Sequence, residues 1–185
     1  MFELGENRDN HFKERSDQFI IYENHQRLKI LEKKYNLEDK YIFIFVRHPY
    51  ERIKSWFYYH NNIEPYKSQL LNEWISNGCK THWGIQNETD WTKENLSPLL
   101  QYNFIDGTSK INYIGKIENF EQDCKNIICQ LNTLFDKKNC QKKILFKKIK
   151  KNTSSKKNND IITDENKSLI YKMFRKDFDY FNYDR

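Results

Sequence analysis

At 185 residues the chain is long enough for one domain with its own core and short for two. Aromatics reach 16%, which excludes a disordered polar tract; no apolar run approaches the roughly 18 residues of a membrane span, and no apolar leader opens the chain. The charge of +6 is local, because residues 137–157 hold ten lysines and no acid, and taking these from +6 leaves −4 for the rest.

A lysine segment of this kind has three readings: a solvated face, a nucleic-acid patch, or one wall of a site for a small polyanion. Phe146 is the only aromatic among these lysines, whereas single-strand binding wants aromatics interleaved with the charges; no nucleic-acid partner is expected. The absence of alanine and the single valine, Val46, beside abundant Lys, Asn, Ile, Phe and Tyr, follow codon bias in an AT-rich genome more naturally than function. Cys79, Cys124, Cys129 and Cys140 form no C-x-x-C pair. Cys79-Lys80-Thr81-His82 has metal-like spacing but no second pair answers it, so no structural zinc is expected. The disulfide state and compartment stay open.

Taken in chain order, residues 1–20 are polar, mixed in charge and irregular. Leu28, Leu31 and Tyr35 recur at helical spacing behind Asn24, a suitable cap. Tyr41-Ile42-Phe43-Ile44-Phe45-Val46 is a continuous apolar run between charged flanks, the pattern of a strand covered on both faces. Pro49 suits the first turn of a helix to about Tyr59. Residues 66–77 are amphipathic through Leu70, Leu71, Trp74 and Ile75, with Gly78 placed to end the helix. Residues 79–110 read mostly as loop. A short strand follows at 111–115, then a helix capped by Asn119 with Phe120, Cys124, Ile127, Ile128 and Leu131 on one face. A last helix over 164–181 presents Leu169, Ile170, Met173, Phe174 and Phe178. Strand–helix alternation around a buried strand predicts a single layered α/β domain over 1–185, with the lysine segment inside it.

In open α/β sheets, ligands gather beyond the carboxyl ends of strands, beside helix N-termini. Arg47 stands there after the best strand, where a guanidinium can make a two-pronged contact with phosphate; Ser55 can add a hydroxyl from the following helix, with Arg52 and Lys54 nearby. The bland alternative is an arginine paired to an acid at a strand end.

The run Phe45-Val46-Arg47-His48-Pro49-Tyr50-Glu51-Arg52-Ile53-Lys54-Ser55-Trp56-Phe57 resembles the 3′-phosphate-binding motif of sulfotransferases. It is closest to the F-V-R-D-P-x-x-R-x-x-S pattern of the carbohydrate branch, of the uronyl and heparan 2-O-sulfotransferase type. Two more stretches agree in order. Residues 113–123, Tyr-Ile-Gly-Lys-Ile-Glu-Asn-Phe-Glu-Gln-Asp, are similar to that family's strand-to-helix segment F-I-G-R-x-E-N-L-x-x-D. Residues 171–183 resemble its closing helix, which often ends D-F-x-x-F-G-Y. The resemblance covers roughly residues 20–185.

It implies a P-loop-NTPase-like layered fold with a parallel central sheet. It also implies a donor co-substrate, 3′-phosphoadenosine 5′-phosphosulfate, an acceptor hydroxyl on a sugar or glycan, and no metal. By resemblance Arg47 and Ser55 hold the donor's 3′-phosphate, and Lys151, Asn152, Thr153 and Ser154 belong to a basic loop closing over the nucleotide. Glu118 matches a family position whose expected role is capping and strand-end geometry. His48 stands where the pattern has Asp. For the base that takes the acceptor proton, the branch acting on uronic acids uses a histidine ahead of the helix that precedes the arginine strand; His25 sits there, with Glu23 and His82 as alternatives. His82, Trp83 and Gln101 are candidates for the acceptor side. As a plain reading, His25 is an early helix residue with a local hydrogen bond.

The family opens with a strand and a P-K-T-G-T-[ST] loop that grips the 5′-phosphosulfate through backbone N–H groups and a lysine. Of Gly5, Gly78, Gly84, Gly107 and Gly115, none lies in a G-K-[ST] context. The expectation is therefore an N-terminally truncated sulfotransferase, the alternative a catalytically inactive nucleotide- or polyanion-binding remnant. A bacterial or viral protein of this kind would be cytoplasmic, and a eukaryotic one Golgi-anchored.

Overall fold

The computed structural model describes residues 27–60, 70–79, 100–105, 110–137, 144–146 and 160–185. In chain order these form helix α1 (Leu28–Lys34), strand β1 (Phe43–Val46), helix α2 (Pro49–His60) and helix α3 (Leu71–Ser76). A 3₁₀ turn follows at Gln101–Phe104, then strand β2 (Tyr113–Lys116), a second 3₁₀ turn at Ile117–Asn119, and helices α4 (Phe120–Lys137), α5 (Asp164–Met173) and α6 (Arg175–Phe181). Strands β1 and β2 pair in parallel, Phe43 opposite Tyr113 through Val46 opposite Lys116. Their carboxyl ends therefore lie side by side.

Helices α2, α3, α5 and α6 pack into one core. Ile53 and Phe57 of α2, Leu71, Trp74 and Ile75 of α3, and Ile170, Phe174 and Phe178 of the C-terminal helices are all buried together with Leu100 and Ile162. The Phe57 and Trp74 rings stand 5.5 Å apart. Each such side chain contributes roughly 1.5–3 kcal/mol relative to leaving it exposed. A second cluster joins the strand end to the chain's end through Val46, Ile105 and Phe181. Helix α3 stops as its sequence predicts. Gly78 takes a left-handed φ of 82°, its N–H donates to the Ile75 carbonyl and that of Cys79 to the Trp74 carbonyl, which is the Schellman closure.

Four expectations need correction. Among the described residues β1 is not covered evenly on both faces, since Phe43 is 46% exposed and Val46 2%; the described elements bury the strand at its carboxyl end. Residues 100–105, read as loop, hold the 3₁₀ turn at Gln101–Phe104, fixed by bonds to a distant helix. Asn119 lies inside the second 3₁₀ turn instead of capping α4. Asp123, in the first turn of α4, accepts the Lys116 N–H (2.7 Å) and the Tyr113 hydroxyl (2.8 Å), locking the strand-to-helix corner from within. The single C-terminal helix is divided at Phe174, whose φ of −117° and ψ of 26° leave the helical region. Thr163 caps its first half by accepting the Asn166 N–H, and the break turns Asp177 toward residues 101 and 102. Among the described residues no helix is long and apolar enough to cross a membrane.

Candidate functional site

Arg47 is the first residue past β1, and its main chain is gripped before its side chain does anything. Its N–H donates to Gln101 Oε1 (2.7 Å), and its carbonyl accepts from Gln101 Nε2 (2.7 Å). The side chain runs outward, 36% exposed, and meets Glu51 at 3.8 Å. Glu51 has a second cation, Lys54, at 3.4 Å. Glu51 and the exposed Ser55, four residues apart, lie on one face of α2, and the Arg47 side chain, starting two residues before the helix, reaches that face at Glu51. An exposed pair of this geometry is worth under about 0.5 kcal/mol. Little therefore opposes a dianion taking the guanidinium from Glu51, and Lys54 remains to pair the acid.

His48 occupies the N-cap of α2, with Pro49 at the first helical position. Its Nδ1 accepts the Tyr50 N–H at 3.3 Å, the bond an aspartate cap would make. That leaves Nε2 as the donor, 3.2 Å from the Asp184 carbonyl. The His48 N–H donates to Glu118 Oε1 (2.7 Å), and the Tyr183 hydroxyl donates to Glu118 Oε2 (3.1 Å). Glu118, just past β2, thus ties the two strand ends and the C-terminal segment together, the strand-end role the sequence assigned it. Burial, helped by the Glu118 charge, pushes the Tyr183 phenol well above its ordinary range. Lys116 completes the corner, donating to the Asn182 carbonyl at 3.0 Å and lying 4.2 Å over the Tyr183 ring. Asn182 ends α6 in the left-handed region.

Behind Arg47 lies a buried acid. Asp177, 1% exposed, accepts the Gln101 N–H (2.9 Å), the Tyr102 N–H (2.7 Å) and, more weakly, Gln101 Nε2 (3.4 Å). Burial holds its carboxyl above the ordinary aspartate range, against the opposite pull of those donors and of Arg52. The Arg52 guanidinium is lowered by burial and by Arg47, with Asp177 working the other way. Cys79 is also buried, its thiol pushed up to about 12, which makes it an inert core residue.

Of the predicted site residues, Arg47 stands just past β1 and Ser55 is exposed in the middle of α2, on the helix face that carries Glu51. His25, Glu23, His82, Lys151, Asn152, Thr153 and Ser154 lie outside the described residues. Gln101, a candidate for the acceptor side, is 5% exposed and spends its amide on Arg47 and Asp177. Sequence reasoning missed Asp177 and Tyr183 as parts of the site. The available signal was an acid on the apolar face made by Ile170, Phe174, Phe178 and Phe181.

A family model described as "Sulfotransferase family" matches residues 3–184. No curated protein and no solved structure matches the chain.

Proposed function

Because the chain belongs to the sulfotransferase family, we propose that it takes a sulfuryl group from 3′-phosphoadenosine 5′-phosphosulfate, anchors that donor's 3′-phosphate on Arg47 and Ser55, and passes the group to a carbohydrate hydroxyl. The observation that carries this reading is the setting of Arg47. Its main chain is doubly hydrogen-bonded at the carboxyl end of a parallel strand, its guanidinium is partly exposed and weakly paired to Glu51, and Ser55 lies exposed one turn beyond Glu51 in α2. The parallel pair, with chemistry-bearing residues past the strand ends, also fits part of a P-loop-NTPase-like layered sheet.

In the transfer the acceptor oxygen attacks sulfur in line. The new O–S bond forms as the S–O bond to the nucleotide breaks, adenosine 3′,5′-bisphosphate leaves, and a base takes the hydroxyl proton. His25 is assigned that proton, with Glu23 and His82 behind it. Arg47 and Ser55 bind and orient the donor without touching the reacting bond. Lys151, Asn152, Thr153 and Ser154 are assigned, by resemblance, to the loop covering the nucleotide. His48 in place of the pattern's Asp leaves this reading intact, because its imidazole supplies the same cap acceptor to the Tyr50 N–H.

Calorimetry with adenosine 3′,5′-bisphosphate and adenosine 5′-monophosphate tests the anchor. The bisphosphate should bind more tightly, and Arg47→Ala should remove the preference, costing about 2 kcal/mol or more for a lost two-pronged charged contact. Equal binding of the two nucleotides, or an unaffected variant, would refute the assignment. Preference without sulfuryl transfer to any glycan acceptor would favour the nucleotide-binding remnant.

A further inference from the structure

We infer that Gln101 and Asp177 are positioning residues that aim Arg47 at the nucleotide's 3′-phosphate, an inference that rests on the phosphate role proposed for Arg47. The hydrogen-bond relay has two links, Asp177 to Gln101 and Gln101 to Arg47. The Gln101 amide closes a two-bond ring on the Arg47 main chain, accepting its N–H and donating to its carbonyl, both at 2.7 Å. Asp177 then holds the residue that does the holding. One carboxylate oxygen takes the Gln101 N–H and the other the Tyr102 N–H, at 2.9 and 2.7 Å.

The chemistry leaves little freedom. If the Gln101 amide flipped, its NH2 would face the Arg47 N–H and its oxygen would face two acceptors, so both ends fix its orientation. Asparagine at 177 could accept with one atom only and would turn its own N–H groups toward a backbone donor. A carboxylate is the side chain that takes both N–H groups at once, which explains a charge kept at 1% exposure despite the cost of desolvation.

The consequence reaches the site because the two bonds to Arg47 fix its N and its carbonyl, and with them the direction in which the Cα–Cβ bond leaves the strand. A long, half-exposed arginine otherwise loses rotamer freedom when it binds. Starting it from a fixed base lowers that loss and sets the angle of its fork, and two-pronged recognition is sensitive to such angles. The main chain of Arg47, one residue past the β1–β2 ladder, is thus held from the 3₁₀ turn at residues 101–104, which α6 holds in turn through Asp177.

The test compares wild type, Gln101→Met, Asp177→Asn and Arg47→Ala by calorimetry with adenosine 3′,5′-bisphosphate and adenosine 5′-monophosphate, and follows amide exchange at Arg47. Gln101→Met keeps the length and removes both bonds. It should reduce the bisphosphate preference by about 5- to 10-fold, leave monophosphate affinity unchanged, and speed exchange at the Arg47 amide. Asp177→Asn should act in the same direction by about 3-fold, and it carries the test if Gln101→Met does not fold. The inference is overturned if both nucleotides weaken together, as a purely structural role would have it, or if the preference survives although the Arg47 amide exchanges faster. A wild type without preference, or an Arg47→Ala variant that keeps it, removes the phosphate reading itself, and the positioning role with it.

Discussion

Gly115→Ala probes the strand pair that presents the site. Gly115 lies opposite Phe45 in the β1–β2 register, and the Phe45 ring lies across it. A Cβ built at Gly115 would stand 2.5 Å from Phe45 Cε1, 2.8 Å from Cδ1 and 3.1 Å from Cζ. The first two distances are well inside carbon–carbon contact, so the ring has to move. It is also engaged elsewhere, 5.0 Å from the Phe120 ring and edge-on to Phe43 at 6.2 Å. Overpacking of this kind costs about 1–3 kcal/mol. Replacing glycine in a strand returns roughly 0.5–1 kcal/mol of chain entropy. The net loss should be about 0.5–2 kcal/mol, and for a chain of this size each kcal/mol lowers Tm by about 2–4 °C. Urea unfolding of wild type, Gly115→Ala, Phe45→Ala and the double variant measures the clash directly. In the Phe45→Ala background the alanine at 115 should be neutral or stabilising, giving a coupling of at least about 1 kcal/mol. Additivity within about 0.5 kcal/mol would show that the ring does not lie over the glycine.

At the cap of α2, His48→Ala should lose about 1 kcal/mol of stability in urea unfolding, whereas His48→Asp, which keeps an acceptor for the Tyr50 N–H, should lose clearly less; equal losses would remove the capping role. Asp177 has a raised pKa in the folded protein, so the native state holds its proton more tightly than the unfolded chain. Wild type should therefore lose stability relative to Asp177→Asn as pH rises from the ordinary 3.8 through the raised folded value, and unfolding at a series of pH values in which wild type gained instead would contradict the burial of that carboxyl. In sulfuryl-transfer assays, His25→Ala should lower turnover by roughly 100-fold or more with nucleotide affinity unchanged; a larger loss from Glu23→Gln would move the role to the carboxylate, and no loss from either would point to His82.

Several features of this protein are legible without coordinates because they are written in contiguous residues. The apolar run ending at Val46, Pro49 at the head of α2, Gly78 at the end of α3 and the placing of Arg47 just past the strand with Ser55 in the following helix all depend on local sterics and periodicity. The Arg-to-Ser motif lies within nine residues, so its resemblance to the sulfotransferase pattern needs no fold to be seen. Glu118 was placed at a strand end for the same reason. Other properties depend on side chains meeting across the fold. Gln101 reaches Arg47 over 54 residues, Asp177 reaches Gln101 over 76, and Tyr183 reaches Glu118 over 65. Period and propensity carry no information about such partners, and Gln101, offered by the sequence for the acceptor side, shows its hold on Arg47 only once its backbone neighbours are known. The break at Phe174 belongs here too. Its sequence favours an unbroken helix, and the packing that turns Asp177 toward residues 101 and 102 overrides that preference, since an unpaired buried carboxylate would cost more than one interrupted helical turn.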